Sequence, residues 1–404
     1  MNTKINFRRV FIIVSIGSLV LCYSLLWLRM ITTPIERTGA DFIAFYAAGR
    51  IVQNEGAAHA YDPTLEQKYE QEVVGFDIDP QQISPYLHPP FLLLLTRVVA
   101  LDNFVLSFVI WNLVMAAFLC AGAISLFRLL RNEFSKSEWP ILAVGILLFF
   151  PAYESLINGQ DSAILYLGVC LWMFGILKGR DRLAGLGLAL MAIRPQLALL
   201  FALPFLFKRR LVWWWFLLGA SLLILFSLFY AGSEGIEGFL RILAISGRGV
   251  NYHTGEDNMV NLIGLLWRVF PGASAFVIHG IGWGMYFAAI GGMCIYWFRV
   301  RSLAEKQVGL MALVSVLVAP HLHFHDLVIL IVPVVSLILV LRRGDCLPTQ
   351  NIILLPLVVS LALLFSFFSK FLLHMVSYLV ILLLFLALWF PKKVFLKKSF
   401  ARIK

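Results

Sequence analysis

Charge is what this chain has least of. Only 14% of its 404 residues are Asp, Glu, Lys or Arg, against roughly 25% in an ordinary soluble domain. A chain with so little polar surface does not face water on all sides, which excludes a soluble globular fold. Acid is scarcer than base, with 22 Asp and Glu against 33 Lys and Arg. Cysteine is sparse too: Cys22, Cys120, Cys170, Cys294 and Cys346 lie far apart without metal-ligand spacing. Neither a disulfide framework nor a cysteine metal site is implied. No internal repeat and no low-complexity linker divides the chain, so residues 1–404 read as a single membrane domain.

What is abundant is apolar: 61% of the residues are hydrophobic, in runs such as Val10–Leu28, Ile352–Ser369 and Met375–Phe390. Runs approaching the ~20 residues that cross the hydrocarbon core read as membrane helices. The first run ends in Trp27-Leu28-Arg29 without a small-residue cleavage site and reads as a retained anchor. The expected fold is therefore an all-α polytopic membrane protein.

The net charge of +11 invites a nucleic-acid reading, but its placement opposes it. Basic residues sit in short gaps: Arg8-Arg9, Arg128 to Lys136, Lys178 to Arg182, Lys208 to Arg210, Arg299 to Lys306, Arg342-Arg343, and the tail from Lys392. Short cytoplasmic loops are enriched in Lys and Arg, so these gaps are assigned to the cytoplasm. About 12 crossings meet that constraint, near 10–28, 103–127, 139–151, 161–177, 183–194, 196–207, 211–231, 273–298, 307–319, 325–341, 352–369 and 374–390, with both termini cytoplasmic. Two long segments, 30–101 and 232–272, then fall outside. Within the first, Asp41 to Asn54 and Pro63 to Val73 are expected to form amphipathic helices along the membrane interface.

Polar groups at apolar depth mark functional sites in membrane proteins. Arg194 stands between two half-length segments in Ala192-Ile193-Arg194-Pro195-Gln196. Pro195 suits a first helical turn, and the free N–H groups of that turn with Arg194 would form an anion site; the alternative is an arginine snorkelling to water. His321, His323 and His325 alternate ahead of Asp326. Metal ligation, proton or phosphate contacts, and simple interfacial satisfaction all stay open there. Asp41 is either an N-cap or a general base. Tyr86-Leu87-His88-Pro89-Pro90 precedes an apolar run of interfacial or re-entrant length, and Asn158-Gly159-Gln160-Asp161 closes an outer turn. Charge asymmetry places Asp41, His88, Gln160, Arg194, His321 and His325 on one side, which suits a lipid-linked phosphate substrate.

At these residues the chain resembles the polyprenyl-phosphate-sugar-dependent transferases of the GT-C fold, specifically glycosyltransferase family 87. That family includes bacterial mannosyltransferases of phosphatidylinositol mannoside synthesis and related arabinofuranosyltransferases. The matching stretches are Asp41 to Gly49, Tyr61-Asp62-Pro63, His88 to Phe91, Gly159-Gln160, Arg194-Pro195-Gln196, Asp257 to Leu265 and His321 to Asp326. The resemblance implies inverting transfer of a mannose-like hexose or arabinofuranose from polyprenyl phosphate to a lipid or glycan acceptor. It further implies an extracytoplasmic active site in the plasma or inner membrane. Asp41 would be the base. His88, Gln160, Arg194, Gln196, His321, His323, His325 and Asp326 would hold the donor. Tyr46, Tyr86, Arg248 and Asn258 are candidate acceptor or loop contacts. Family members often carry Lys where Arg194 stands. The expected partners are the bilayer, donor and acceptor, without nucleic acid; no cofactor is expected, with a divalent metal as the open alternative. A transporter or flippase for a lipid-linked sugar or phosphate is the rival reading, since broken helices with a charge at the break mark transport sites as well.

Overall fold

The computed structural model describes residues 7–33, 41–246, 256–300, 302–344, 346–368 and 375–391. Among them every regular element is helical, and the chain is a polytopic membrane protein. Seven helical segments are long and apolar enough to cross a bilayer: Phe7–Met30, Phe104–Leu130, Trp139–Ile157, Arg210–Ser246, Ala275–Arg299, Phe324–Arg343 and Thr349–Phe368. Phe229, Phe276 and Phe298 point outward from these spans, as side chains meeting lipid do. Every expected crossing falls on helix, but Ser162–Leu177, Asp181–Leu190, Pro195–Leu206, Glu305–Val318 and Met375–Trp389 are shorter. At 1.5 Å per residue even a 16-residue helix reaches only about 24 Å.

The Phe42–Asn54 helix forms where expected, but it packs inside the protein: Phe42 to Gly49, Ile51 and Val52 are all buried. Its first eight residues, Phe42 to Gly49, are apolar on every side, and such a helix belongs in a core. Gly49 permits the close crossing, because a Cβ there would stand 2.5 Å from the Thr96 carbonyl oxygen of the Leu93–Val99 helix. Phe42 packs against Phe104, Phe108 and Trp111, and Phe45 against Trp111 and His88.

The crossing expected at 211–231 ends at a kink at Gly232, whose φ of 69° and ψ of −179° only glycine adopts readily, and a further helical stretch runs on to Ser246. Beyond the kink, Gly235 and Gly238 press on Ala57, Ala58 and Tyr61, and the Phe239 ring lies tilted against Tyr61 with centroids 5.3 Å apart. Residues 235–239 thus pack on the segment 57–61. The Pro63–Val74 helix forms as expected, capped by Asp62, whose side chain accepts from the Thr64 N–H at 2.8 Å.

Candidate active site

Arg194 sits at the break between Met191–Ile193 and the Pro195–Ala202 helix, with φ −125° and ψ 78°. Pro195 occupies the first helical position, as its missing N–H favours. The guanidinium is neither snorkelling nor open. Nη2 donates to Asp161 Oδ1 at 3.0 Å, and Nε lies 3.4 Å from Asp326 Oδ1. Nη1 stands 3.5 Å from Asp161 Oδ2 and 3.4 Å from His88 Nδ1. Asp161 and Asp326 are both buried, and Ser162 Oγ donates to Asp326 Oδ1 at 2.9 Å. His88 Nδ1 meets Asp161 Oδ2 at 2.9 Å. An arginine at apolar depth needs a partner, and here it has two carboxylates.

Asp41 lies at the rim of this cluster. It does not cap the helix it precedes, since its side chain makes no capping hydrogen bond. Instead Gln160 Nε2 donates to Asp41 Oδ2 at 2.5 Å, and His325 Nδ1 lies 4.0 Å from the same oxygen. On its other side His325 Nε2 is 3.7 Å from Asp326 Oδ2. A Gly-centred turn holds Asp41 in place. The Phe42 N–H donates to the Asn158 carbonyl at 2.9 Å, and Gly159, at φ +69°, would drive a Cβ to 2.3 Å from Phe42 Cβ. The buried Glu154 accepts from Asn158 Nδ2 through Oε1.

His321, His323 and His325 do not converge. His321 has a left-handed φ of 53°, His323 and His325 rings stack 5.8 Å apart, and only His325 reaches toward Asp41. Burial pushes the His323 imidazole down to about 3, helped by His325 beside it. Burial also lowers His321, against the pull of Glu256. Among the described residues no three His, Cys, Asp or Glu side chains are placed to share a metal ion. Gln196 acts through structure: its Nε2 donates to the Pro320 carbonyl at 3.2 Å, and its own carbonyl accepts from Tyr286 OH at 2.7 Å.

The candidate acceptor contacts scatter. Tyr46 is buried and donates to the Leu101 carbonyl, away from Asp41. Tyr86 is buried between Phe45, Tyr61 and His88, its hydroxyl without a partner among the described residues. Asn258 is exposed, while its neighbour Asn261 is buried and donates to the Ala319 carbonyl at 2.7 Å. Arg248 lies outside the described residues.

Sequence reasoning missed Asp161 as a site residue, although an arginine between two half-helices demands a counter-charge and an acid opening a nearby apolar helix is the first place to seek it. It also missed Glu66 and Glu70, one helical turn apart and both buried. Glu66 Oε1 accepts from the Tyr86 N–H at 2.9 Å and Glu70 from the Ser84 N–H at 3.1 Å, while Tyr61 OH donates to the His88 carbonyl at 2.8 Å. Together they fix the extended segment that delivers His88. Burial raises both carboxyls against those N–H donors, Glu70 to about 8. The chain also carries an Asp-x-Asp triplet, Asp77-Ile78-Asp79. Both aspartates are exposed, and Asp79 accepts from the Gln81 N–H in a local turn.

A family model described as glycosyltransferase family 87 matches residues 86–320, more than half of the chain. No curated protein and no solved structure matches.

Proposed function

The chain belongs to glycosyltransferase family 87, and from that membership we propose that it transfers a sugar from a polyprenyl-phosphate donor to a hydroxyl of a lipid or glycan acceptor, with inversion, on the extracytoplasmic side. The observation that supports this best is the setting of Asp41. Its side chain is 43% exposed, yet it adjoins a buried cluster of Arg194, Asp161, Asp326 and His88. A carboxylate open to an incoming hydroxyl, beside fixed polar groups, is what base-assisted displacement needs.

In the proposed reaction Asp41 takes the proton of the acceptor hydroxyl. The oxygen forms a bond to the anomeric carbon as the bond from that carbon to the phosphate oxygen breaks. Polyprenyl phosphate departs with the electron pair. Arg194 is already engaged by two carboxylates, so binding of the donor phosphate draws on imidazole N–H groups of His88 and His325 as well as on the guanidinium. Gln160 and His325 hold the base. The basic gaps between helices support the sidedness, because they assign the opposite face to the cytoplasm.

The test is to offer the purified protein polyprenyl-phosphate mannose and polyprenyl-phosphate arabinofuranose and to measure release of polyprenyl phosphate. Release from neither, in the presence of lipid acceptors, overturns the proposal. Substrate translocation without cleavage supports the flippase reading instead.

A further inference from the structure

Outside the Asp41 and Arg194 cluster, a second group of polar side chains meets at one carboxylate. Trp267 Nε1 donates to Glu256 Oε2 at 2.8 Å, and His279 Nε2 lies 3.0 Å from the same oxygen. The other oxygen, Oε1, is buried and has no hydrogen-bond partner among the described residues. Glu256 itself is only 13% exposed and His279 26%. A carboxylate with both neighbouring donors on one oxygen keeps the lone pairs of the other for a further donor, and a buried acceptor left unmet costs about 1–3 kcal/mol.

The cluster is joined to the proposed active site through the segment 319–322. The Val260 N–H donates to the Leu322 carbonyl at 2.9 Å, and Asn261 Nδ2 to the Ala319 carbonyl. These bonds lash the Glu256 turn to the segment carrying Pro320 and the left-handed His321. Pro320 in turn accepts from Gln196, two residues from Arg194. Glu256 and His279 also stand near enough to His321 to act on it electrostatically. Phe270, three residues from Trp267, and Phe276, three residues from His279, are strongly exposed.

We propose that Glu256, with Trp267 and His279, is the acceptor subsite and takes the neutral, hydroxyl-rich head group of a lipid-anchored acceptor. The chemistry selects that class. An acceptor carboxylate beside an indole and an imidazole receives hydroxyl donors and repels phosphate, so it complements the phosphate pole near Arg194. The exposed phenylalanines would flank the lipid tail. This rests on the transferase reading given above.

The experiment uses the full chain in lipid nanodiscs, with n-decyl glycosides as acceptors and polyprenyl-phosphate mannose as donor. Glu256→Gln should raise the apparent KM for decyl glycoside by about tenfold or more while the donor KM moves by less than about twofold. An unchanged acceptor KM overturns the proposal. So does a joint loss in both KM values and kcat with a lowered melting temperature, since that marks a clasp between the helices that carry Trp267 and His279. Saturation-transfer NMR with decyl glycoside alone supplies an arm that needs no turnover. Saturation should reach the sugar ring in the wild type and be lost in Glu256→Gln; absence in the wild type overturns the subsite. Failure of the wild type to cleave any polyprenyl-phosphate sugar counts against the transferase reading, and the NMR result still decides the subsite.

Discussion

Arg194 and Asp161 lie 33 residues apart and meet Nη2 to Oδ1 at 3.0 Å, with Asp161 buried and the arginine side chain 12% exposed. The pair means that the guanidinium holds the site together before it meets any phosphate. Removing one partner of such a pair strands the other charge, which costs roughly 3–5 kcal/mol. Arg194→Ala is therefore expected to lower the melting temperature in detergent and the folded yield. Arg194→Met combined with Asp161→Asn should recover part of the loss, because no lone charge at Asp161 remains. Arg194→Lys keeps the charge but loses the fork that spans Asp161 and Asp326, so it should fold and transfer more slowly.

Asp41→Asn separates the base from its setting. Asparagine still offers an oxygen to Gln160, so the fold and the donor KM should be preserved. Turnover should fall by about 10²–10⁴-fold, the usual contribution of a general base. Steady-state kinetics with radiolabelled donor checks this. Survival of full transfer in Asp41→Asn removes Asp41 from the mechanism.

Gly159→Ala tests the turn that aims Asp41. The position combines φ +69° with a Cβ that would collide with Phe42, so the Phe42 start of the helix must shift. A loss of about 2 kcal/mol in stability is expected, with a fall in kcat larger than that of an alanine placed at Gly56. Gly56 also has positive φ, but a Cβ there meets nothing within 4 Å.

Stability should depend on pH through Glu70. Its folded pKa is raised from 4.5 to about 8 by burial, opposed by the Ser84 N–H. Between those values the native state keeps a proton that the unfolded chain has released. The contribution is therefore complete below about 4.5 and is lost as pH rises through about 8. Glu66 acts in the same direction. Melting temperature should decline from about pH 5 to about pH 8, and Glu70→Gln should flatten much of that slope. The total is on the order of a few kcal/mol. A slope unchanged in Glu70→Gln discards the assignment.

The sequence by itself determined the class, because apolar runs of spanning length leave no soluble alternative, and it located the helix break at Arg194-Pro195 through the chemistry of proline. Basic gaps and short polar stretches also pointed to Asp41, Gln160, His88 and Arg194 as a group. The tertiary structure alone decided how those residues are paired. Asp161, which opens an apolar helix, is a candidate counter-charge in the sequence, but only the fold that brings Arg194 against it tells it from an ordinary cap. The burial of Phe42 to Val52 was not legible in the sequence because it depends on neighbours distant in the chain, among them Thr96, Phe104 and Trp111. The helix beyond Gly232 was missed for a related reason: its glycines face Ala57 and Tyr61, and local propensity carries no signal of that contact. Periodicity and charge bias are local or one-dimensional quantities, whereas ion pairing and burial are set by which distant segments the fold brings within a few ångströms.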